Sequence, residues 1–534
     1  MVSTLAAALL SGCSITPPQI ASVLPVRGSV NVPTSRPIRI SFTSAVYHES
    51  VEQRFHIMPS VQGHFVWRRQ ALYFYHPPLM TDHVYTITLD PGYSGPGELP
   101  EPFTHQWSFT TQPAPKLLSF SPAQQGGPVH LSAQMAFSFS RPMKLASLRQ
   151  ALTILPPFDY WLTLAPGNPD QVLLTPTQLL IPNTRYFVTI SGQAQDRNGN
   201  RLGPSHTYTV LTGAPTPLSN VVSFLVGPGS AGDQLATPGL WEVDATGLPR
   251  LLTPGTIESY FWNSSGSEIL LEYPGQRWAI LLPGQGPPQG LPFRATWAHW
   301  LPPAGAAALR LIYLEGGSLY LYSPPAPARL LSADVFQVPA VSAYGQLLAV
   351  ATPSPLPTEI SLINLDELAV VKQIPVVHQV TDLAWSANHL FLAYSQSLGP
   401  TPTTSLEVAS VTGVPTVTQL AMGTLGSFRW EPSGTELVLA QIIGSSTHPT
   451  SRCWVVNVQA PVPPTATTSL PRQSPISCTD PQPSPDGHQI AFLSTNGQGF
   501  VIPWLMNSDG SHPQQLLPNF VSAGLSASDL AWAP

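Results

Sequence analysis

Sixty-two of the 534 residues are proline, spread through the whole chain. Proline fixes φ and removes a backbone donor, so it is tolerated at turns and sheet edges but not inside helices. A chain punctuated this often reads as many short strands joined by turns, with long helices nearly excluded. Its length makes three or so domains the natural expectation. Hydrophobic residues make up 43%, enough to bury sizeable cores. Charged residues are only 9%, against about 25% in an ordinary soluble protein, so Ser, Thr, Gln, Asn, Pro and Gly must cover the surface. The net charge of -6 comes with no Lys/Arg run, which argues against nucleic acid as a partner, because phosphate binding needs clustered cations.

The three cysteines come next. Cys13 ends Leu10-Ser11-Gly12-Cys13, after the apolar run Val2 to Leu10. This segment resembles the bacterial lipobox, in which a small-residue site is cut before a cysteine that then carries lipid. The resemblance implies a signal and tether over residues 1–18, lipidation at Cys13 and an extracytoplasmic, lipid-anchored protein. A buried first strand with a chance cysteine is the alternative. No later segment has the 18 or more continuous apolar residues of a membrane helix, so the anchor is the only membrane contact expected. Cys453 and Cys478 form an even pair, which in an exported chain fits a disulfide. Closing their loop would contribute about 3 kcal/mol in the chain-entropy model; two free buried thiols are the alternative.

Residues 19–113 alternate apolar and polar in short runs. Ile38-Arg39-Ile40-Ser41-Phe42 and Tyr85-Thr86-Ile87-Thr88-Leu89 have the period of two that packs one face and wets the other. His64-Phe65-Val66-Trp67, Leu72-Tyr73-Phe74-Tyr75 and Trp107-Ser108-Phe109-Thr110-Thr111 complete a β-sandwich pattern. The order of motifs, from Pro25-Val26-Arg27-Gly28 through the Pro59-to-Gly63 turn to the Phe109-Thr110-Thr111 ending, resembles the bacterial immunoglobulin-like domain of S-layer and other surface proteins. A second copy spans 114–213. Ala136-Phe137-Ser138-Phe139 repeats the long strand, Leu148 to Leu152 a turn-like segment, and Thr153-Ile154-Leu155-Pro156 the Ile57-Met58-Pro59 step. Recurrence strengthens both assignments.

A different repeat fills 219–534. Pro483-Ser484-Pro485-Asp486-Gly487 introduces the strand Ile490-Ala491-Phe492-Leu493-Ser494, and Asn507-Ser508-Asp509-Gly510 follows. Asp-Gly supplies the positive φ that a tight hairpin needs. The unit resembles the TolB-type, WD40-like β-propeller repeat. Weaker copies start at Phe261-Trp262, Leu383-Ala384-Trp385 and Phe428-Arg429-Trp430, with degenerate ones over Trp297–Tyr313 and Val338–Val350. The back half of a unit at Leu240–Thr253 and the front half at Asp529–Pro534 would join to close a ring. The fold class expected is therefore all-β: two immunoglobulin-like sandwiches and a propeller of seven blades, with six or eight open.

Catalytic patterns are missing. No Gly-x-Ser-x-Gly, His-Glu-x-x-His, Walker loop or dinucleotide glycine pattern occurs. Five histidines of the first module (His48, His56, His64, His76 and His83) lack ligand spacing, and Asp196-Arg197-Asn198-Gly199-Asn200 fits an Asx-turn better than a calcium loop. No metal or cofactor is expected. Trp262, Trp297, Trp385, Trp430 and Trp532 recur at one repeat position, where an aromatic packs between blades or stacks on a sugar. The carboxylates Asp244, Glu268, Glu272, Glu315, Asp382, Glu436 and Asp486 are expected mainly on turns or outer strands. The reading is a non-enzymatic binding or scaffold protein whose propeller face meets a protein or glycan. A glycan-active enzyme using the funnel and a structural envelope component are the alternatives; close carboxylates at the funnel would favour the enzyme.

Overall fold

The computed structural model describes residues 16–122, 126–227, 237–244, 247–302, 309–333, 336–342, 345–352, 359–399, 402–414, 416–445, 448–458, 468–470, 476–495, 500–517 and 526–534. Cys13 lies outside them. The chain is all-β apart from two short helices among these residues.

The first module comprises β1 (Ile20–Leu24), β2 (Ile38–Phe42), α1 (His48–Glu52), β3 (Phe55–Met58), β4 (His64–Arg68), β5 (Ala71–Tyr75), β6 (Val84–Leu89) and β7 (His105–Thr110). They form two sheets, β1-β2-β5-β4 and β3-β6-β7. Strand alternation decides which side chains meet between the sheets: Ile38, Ile40 and Phe42 from one face Tyr85, Ile87 and Leu89 from the other, in one apolar core.

The second module repeats this arrangement. It runs β8 (Leu117–Ser121), β9 (Met135–Phe139), α2 (Leu145–Ala151), β10 (Leu152–Leu155), β11 (Tyr160–Ala165), β12 (Asn168–Pro176), β13 (Arg185–Ile190) and β14 (His206–Leu211). Its sheets are β11-β12-β9-β8 and β10-β13-β14, strand for strand the topology of the first. The segment read as turn-like is helical: α2 buries Leu148 and Ala151, so packing of a short apolar face fixes a helix that so few residues could not hold alone.

The chain divides into two compact units. Met1–Val129, Gln134–Thr175 and Arg185–Leu211 form the first; Thr212–Pro534 forms the second together with His130–Ala133 and Pro176–Thr184. In the second unit, antiparallel strands follow in groups of four. Blade 2 starts with Ser259–Trp262, blade 3 with Trp297–Trp300, blade 4 with Gln337–Val341 and blade 5 with Val380–Trp385. One long strand, Val417–Trp430, ends blade 5 with its first half and begins blade 6 with its second. Blade 7 starts with Thr479–Pro483.

Blade 1 is composite. Its order is Pro249–Pro254, Gly239–Val243, Val222–Val226, Ala527–Trp532, so the last strand pairs with the first and closes the ring. Closure removes the edge that an open array would expose.

Apolar side chains fill the seams between successive blades. Leu240 meets Ile269 and Leu271, Ile280 meets Ala298 and Leu311, and Ile312 meets Leu348 and Val350. Ile360 meets Leu392, Leu406 meets Leu437, and Val438 meets Ile490 and Phe492. At the seam of blades 6 and 7, Cys453 and Cys478 are joined in a disulfide with a Cα–Cα distance of 5.5 Å. The link lies in the buried core of that seam, and closing its loop contributes about 3 kcal/mol through the unfolded state in the chain-entropy model.

The hairpins inside the blades share one turn. Ser484 N donates to Gln489 O at 2.8 Å and Gln489 N returns a bond to Ser484 Oγ at 2.9 Å. Ser386 and Ser342 do the same with Phe391 and Leu347. Gly487, at φ +74°, occupies the left-handed position that the Asp-Gly signature requires.

Candidate functional site

The innermost strands of blades 1 to 7 end at Trp532, Trp262, Trp300, Val341, Trp385, Trp430 and Pro483. Where this residue is tryptophan, its indole N–H reaches into the neighbouring blade. Trp300 Nε1 donates to Phe261 O at 2.8 Å, Trp385 to Ala340 O at 2.9 Å, Trp430 to Ala384 O at 3.0 Å and Trp532 to Gln482 O at 2.9 Å. Trp262 makes the connection through a hydroxyl: it donates to Ser223 Oγ at 2.9 Å, which donates to Ala531 O at 3.0 Å. Every final acceptor is the next-to-last residue of the preceding inner strand. The tryptophans thus pack between blades and pin each inner strand to its neighbour. One assignment is corrected. Trp300, not Trp297, holds this position in blade 3, because the inner strand runs to Trp300.

Alternation then settles what faces the axis. The residues one and three places before the strand end line a central cavity of about 510 Å³, including Phe261, Trp297, His299, Asp382, Arg429 and Asp529. Asp382 and Asp529 stand at the same register in blades 5 and 1, within two copies of Asp-Leu-Ala-Trp, 382–385 and 529–532. Asp480 is their counterpart in blade 7. It is not among the residues lining the cavity: its Oδ1 accepts from Gln482 Nε2 of the same strand at 2.9 Å, and its Oδ2 accepts from Leu530 N at 3.0 Å, which ties blade 7 to blade 1. Asp480 and Asp529 have φ of +44° and +51°, a left-handed conformation that Asp tolerates better than most residues, and the ladders slip at Thr479/Gln482 and Ser223/Leu225 beside them. These bulges re-aim the inner strands at the channel.

The channel's electrostatics follow from burial. Asp529 is pushed up to about 7, first by desolvation and then by the Asp480 carboxylate, with Arg429 pulling it back. Asp382 is raised by desolvation, again opposed by Arg429. The Tyr260 hydroxyl donates to Asp529 O at 2.9 Å, and burial, then Asp529, holds it well above its ordinary range. His299 is lowered by burial. Aromatic walls, a guanidinium and two carboxylates, both raised by burial, can hold a cationic or hydrogen-bonding group.

The other candidate residues are dispersed. The expectation for the acids fails at Asp382, which lies on an innermost strand because Trp385, not the loop, sets its register. Cys453 and Cys478 lie away from the channel, in the seam of blades 6 and 7. His48 stacks on Trp67 at 4.0 Å, His64 on Tyr75 at 5.6 Å, and His56 meets Asp90 at 3.1 Å. His76 and His83 contact backbone carbonyls. Among the described residues no three His, Cys, Asp or Glu side chains are grouped to hold a metal.

Asp196 closes an Asx-turn, its Oδ1 accepting from Asn198 N and Asn200 N at 2.9 Å each. Its product is a joint: Asn200 Oδ1 accepts from Thr34 Oγ1 of the first module. Asp480, Asp529, Arg429, Tyr260 and His299 escaped the sequence reading. The repeated Asp-Leu-Ala-Trp was the signal that could have found two of the channel's acids.

Residues 14–111 and 112–212 each match the bacterial Ig-like domain family, so the N-terminal part of the chain consists of two such domains, which are typically extracellular. No curated protein matches the sequence. Among solved structures, TolB from Acinetobacter baumannii is similar at 12% identity and a TM-score of 0.37, over 72% of this chain and 83% of that one. A putative TolB from Agrobacterium tumefaciens shares 15% identity at a TM-score of 0.33, over 59% and 98%. The Cps50 (Swd1) β-propeller domain of Myceliophteria thermophila shares 10% at 0.37, over 51% and 92%. Likeness at that level decides nothing, and the propeller stands on its own strand order and ring closure.

Proposed function

We propose that this chain is a non-enzymatic, extracytoplasmic binding protein, in which the Ig-like modules are spacers and the channel of a seven-bladed propeller takes a cationic group of a protein partner. In this reading residues 1–18 are signal and tether, 19–113 and 114–213 the spacers, and 219–534 the propeller. The observation that carries it is the arrival of Asp382 and Asp529 in one aromatic-walled cavity from identical Asp-Leu-Ala-Trp segments. In a chain with so few charges, two acids at one register around a single cavity point to recognition of positive charge.

A second reading has support from the same place. A carboxyl held near neutrality beside another acid is the pattern of acid–base catalysis in glycan cleavage. Against it, both oxygens of Asp480 are already engaged, one by Gln482 Nε2 of its own strand and the other by Leu530 N of blade 1.

Because Trp262, Trp297, Trp385 and Trp532 line the channel, intrinsic fluorescence reports its occupancy. Titration with short lysine- and arginine-bearing peptides is expected to change it saturably. The Asp382→Asn/Asp529→Asn double variant is expected to bind at least tenfold more weakly. Asp529 titrates near 7, so the free site is more negative above that pH, and affinity should rise several-fold from pH 6 to pH 8. Equal binding by the double variant sinks this reading. Cleavage of a glycan by the wild type, abolished by Asp529→Asn, establishes the second one.

The anchor is tested separately. Expressed in a bacterial host, the wild type is expected to be trimmed to Cys13, lipidated and membrane-associated, while Cys13→Ser is not; identical intact mass and solubility of the two remove the lipid anchor. No helix among the described residues is long and apolar enough to cross a membrane.

A further inference from the structure

Away from the channel, a larger open groove of about 810 Å³ lies between blades 2 and 3. Two exposed arginines flank it. Arg277 and Arg294 are direct cross-strand partners on the third and fourth strands of blade 2. Like charges placed opposite each other repel. The protein does not relieve this one: Arg277 Nε is turned onto Pro274 O at 3.1 Å and Arg294 Nη1 onto Gly275 O at 3.0 Å. Among the described residues, neither guanidinium has a carboxylate within ion-pair distance. In a chain with 22 Lys and Arg in all, two set side by side at the rim of this groove offer paired positive charge to an outside anion.

The groove itself narrows the choice of anion. Its floor is aromatic: Phe293 and Tyr313 lie face to face at 4.0 Å, half-buried Tyr273, whose hydroxyl bonds Thr253, stands beside Arg277, and Glu315 is the carboxylate in the lining, on the blade 3 side. The adjoining edge strand, Gln289–Arg294, carries Pro292 and is preceded by Pro288. Proline removes the backbone donor that an added peptide strand would pair with, so the edge is closed to strand addition. A shallow, aromatic-floored groove with paired guanidiniums and a blocked strand edge fits an anionic sugar chain, whose carboxylate or phosphate each guanidinium can bind in a two-point fashion.

We propose that the groove between blades 2 and 3 binds an anionic glycan, with Arg277 and Arg294 receiving its acidic groups and Tyr273 a sugar hydroxyl. The proposal is independent of the channel. The test is calorimetric titration of the full chain with alginate hexasaccharide, poly(glycerol phosphate), neutral dextran of matched length and oligo-glutamate. One of the two anionic glycan-type polymers is expected to bind, and which one does identifies the acid as carboxylate or phosphate. Arg277→Gln/Arg294→Gln is expected to lose at least tenfold in affinity with an unchanged circular dichroism spectrum. Arg329→Gln, on the outermost strand of blade 3, is expected to keep the wild-type affinity. Unchanged binding by the double variant, binding of neither anionic polymer, or equal binding of oligo-glutamate each overturns the proposal, the last in favour of an acidic peptide.

Discussion

Removing residues 526–534 is expected to abolish the propeller while leaving the two Ig-like modules folded. The segment supplies the innermost strand of blade 1. Without it Val222–Val226, buried at all five positions, loses one of its two hydrogen-bonded neighbours. Four further ties go at once: the Trp532 latch to Gln482, the Leu530 N–H bond to Asp480, the Ala531 carbonyl that receives Ser223, and the Asp529 carbonyl that receives Tyr260. An open, apolar edge in an array of strands is a template for aggregation. Near-UV circular dichroism should lose most of its tryptophan signal, and gel filtration should show association. Ala533 N lies 3.0 Å from Val221 O, so a permutant with the nine residues moved ahead of Leu218 can reach the same place as one arm of a hairpin. It is expected to recover the signal. A truncated protein with the wild-type spectrum and melting temperature would show that the ring does not depend on its closing strand.

Arg250→Met is the point substitution with the largest expected cost. Arg250 Nε and Nη2 hold Glu242 Oε1 and Asp244 Oδ2 at 2.7 Å each, and Glu242 and Arg250 are almost wholly buried within blade 1. Taking away one partner of such a group costs about 3–5 kcal/mol, because a charge is left in a poor medium. The double variant Arg250→Met/Glu242→Gln, which removes the two buried charges and leaves the more exposed Asp244, is expected to recover part of that loss in a double-mutant cycle.

The pH dependence has a definite sign. Burial already raises Glu242, and losing its cation raises it further above the unfolded value. The folded form of Arg250→Met then holds a proton that the unfolded form has released, so its stability falls as pH rises through the carboxylate range and beyond. Urea unfolding should therefore find a smaller deficit at pH 5 than at pH 8. A deficit below 1 kcal/mol at both values is incompatible with an unrelieved buried charge.

Much of the architecture was readable because it is written in local patterns. Period-two alternation in Ile38–Phe42 and Met135–Phe139 placed the same face inward in both sandwiches. The Ser-Pro-Asp-Gly turn at 484–487 marked a blade, and the half-units at the two ends of the repeat array marked the closure. The channel was harder to see. Asp480 stands three places before its strand end like Asp382 and Asp529, but Pro481-Gln482-Pro483 replaces Leu-Ala-Trp after it, so no shared motif announces it. Trp297 and Trp300 both suit the latch by composition, and only the length of the strand chooses between them. The groove arginines are adjacent in space through a cross-strand register that no linear spacing announces.

The placement of the first propeller strand also has a mechanical consequence. Val222–Val226 is flanked by Gly239–Val243 on one side and Ala527–Trp532 on the other, antiparallel to both. Tension transmitted along the chain into Val222 runs parallel to these strands, so it loads two ladders in shear together instead of peeling one bond at a time. Such a clamp resists extraction through its rate of rupture more than through equilibrium stability. Pulled from the N-terminal side of Val222, the chain would then lengthen elsewhere before its ring opened.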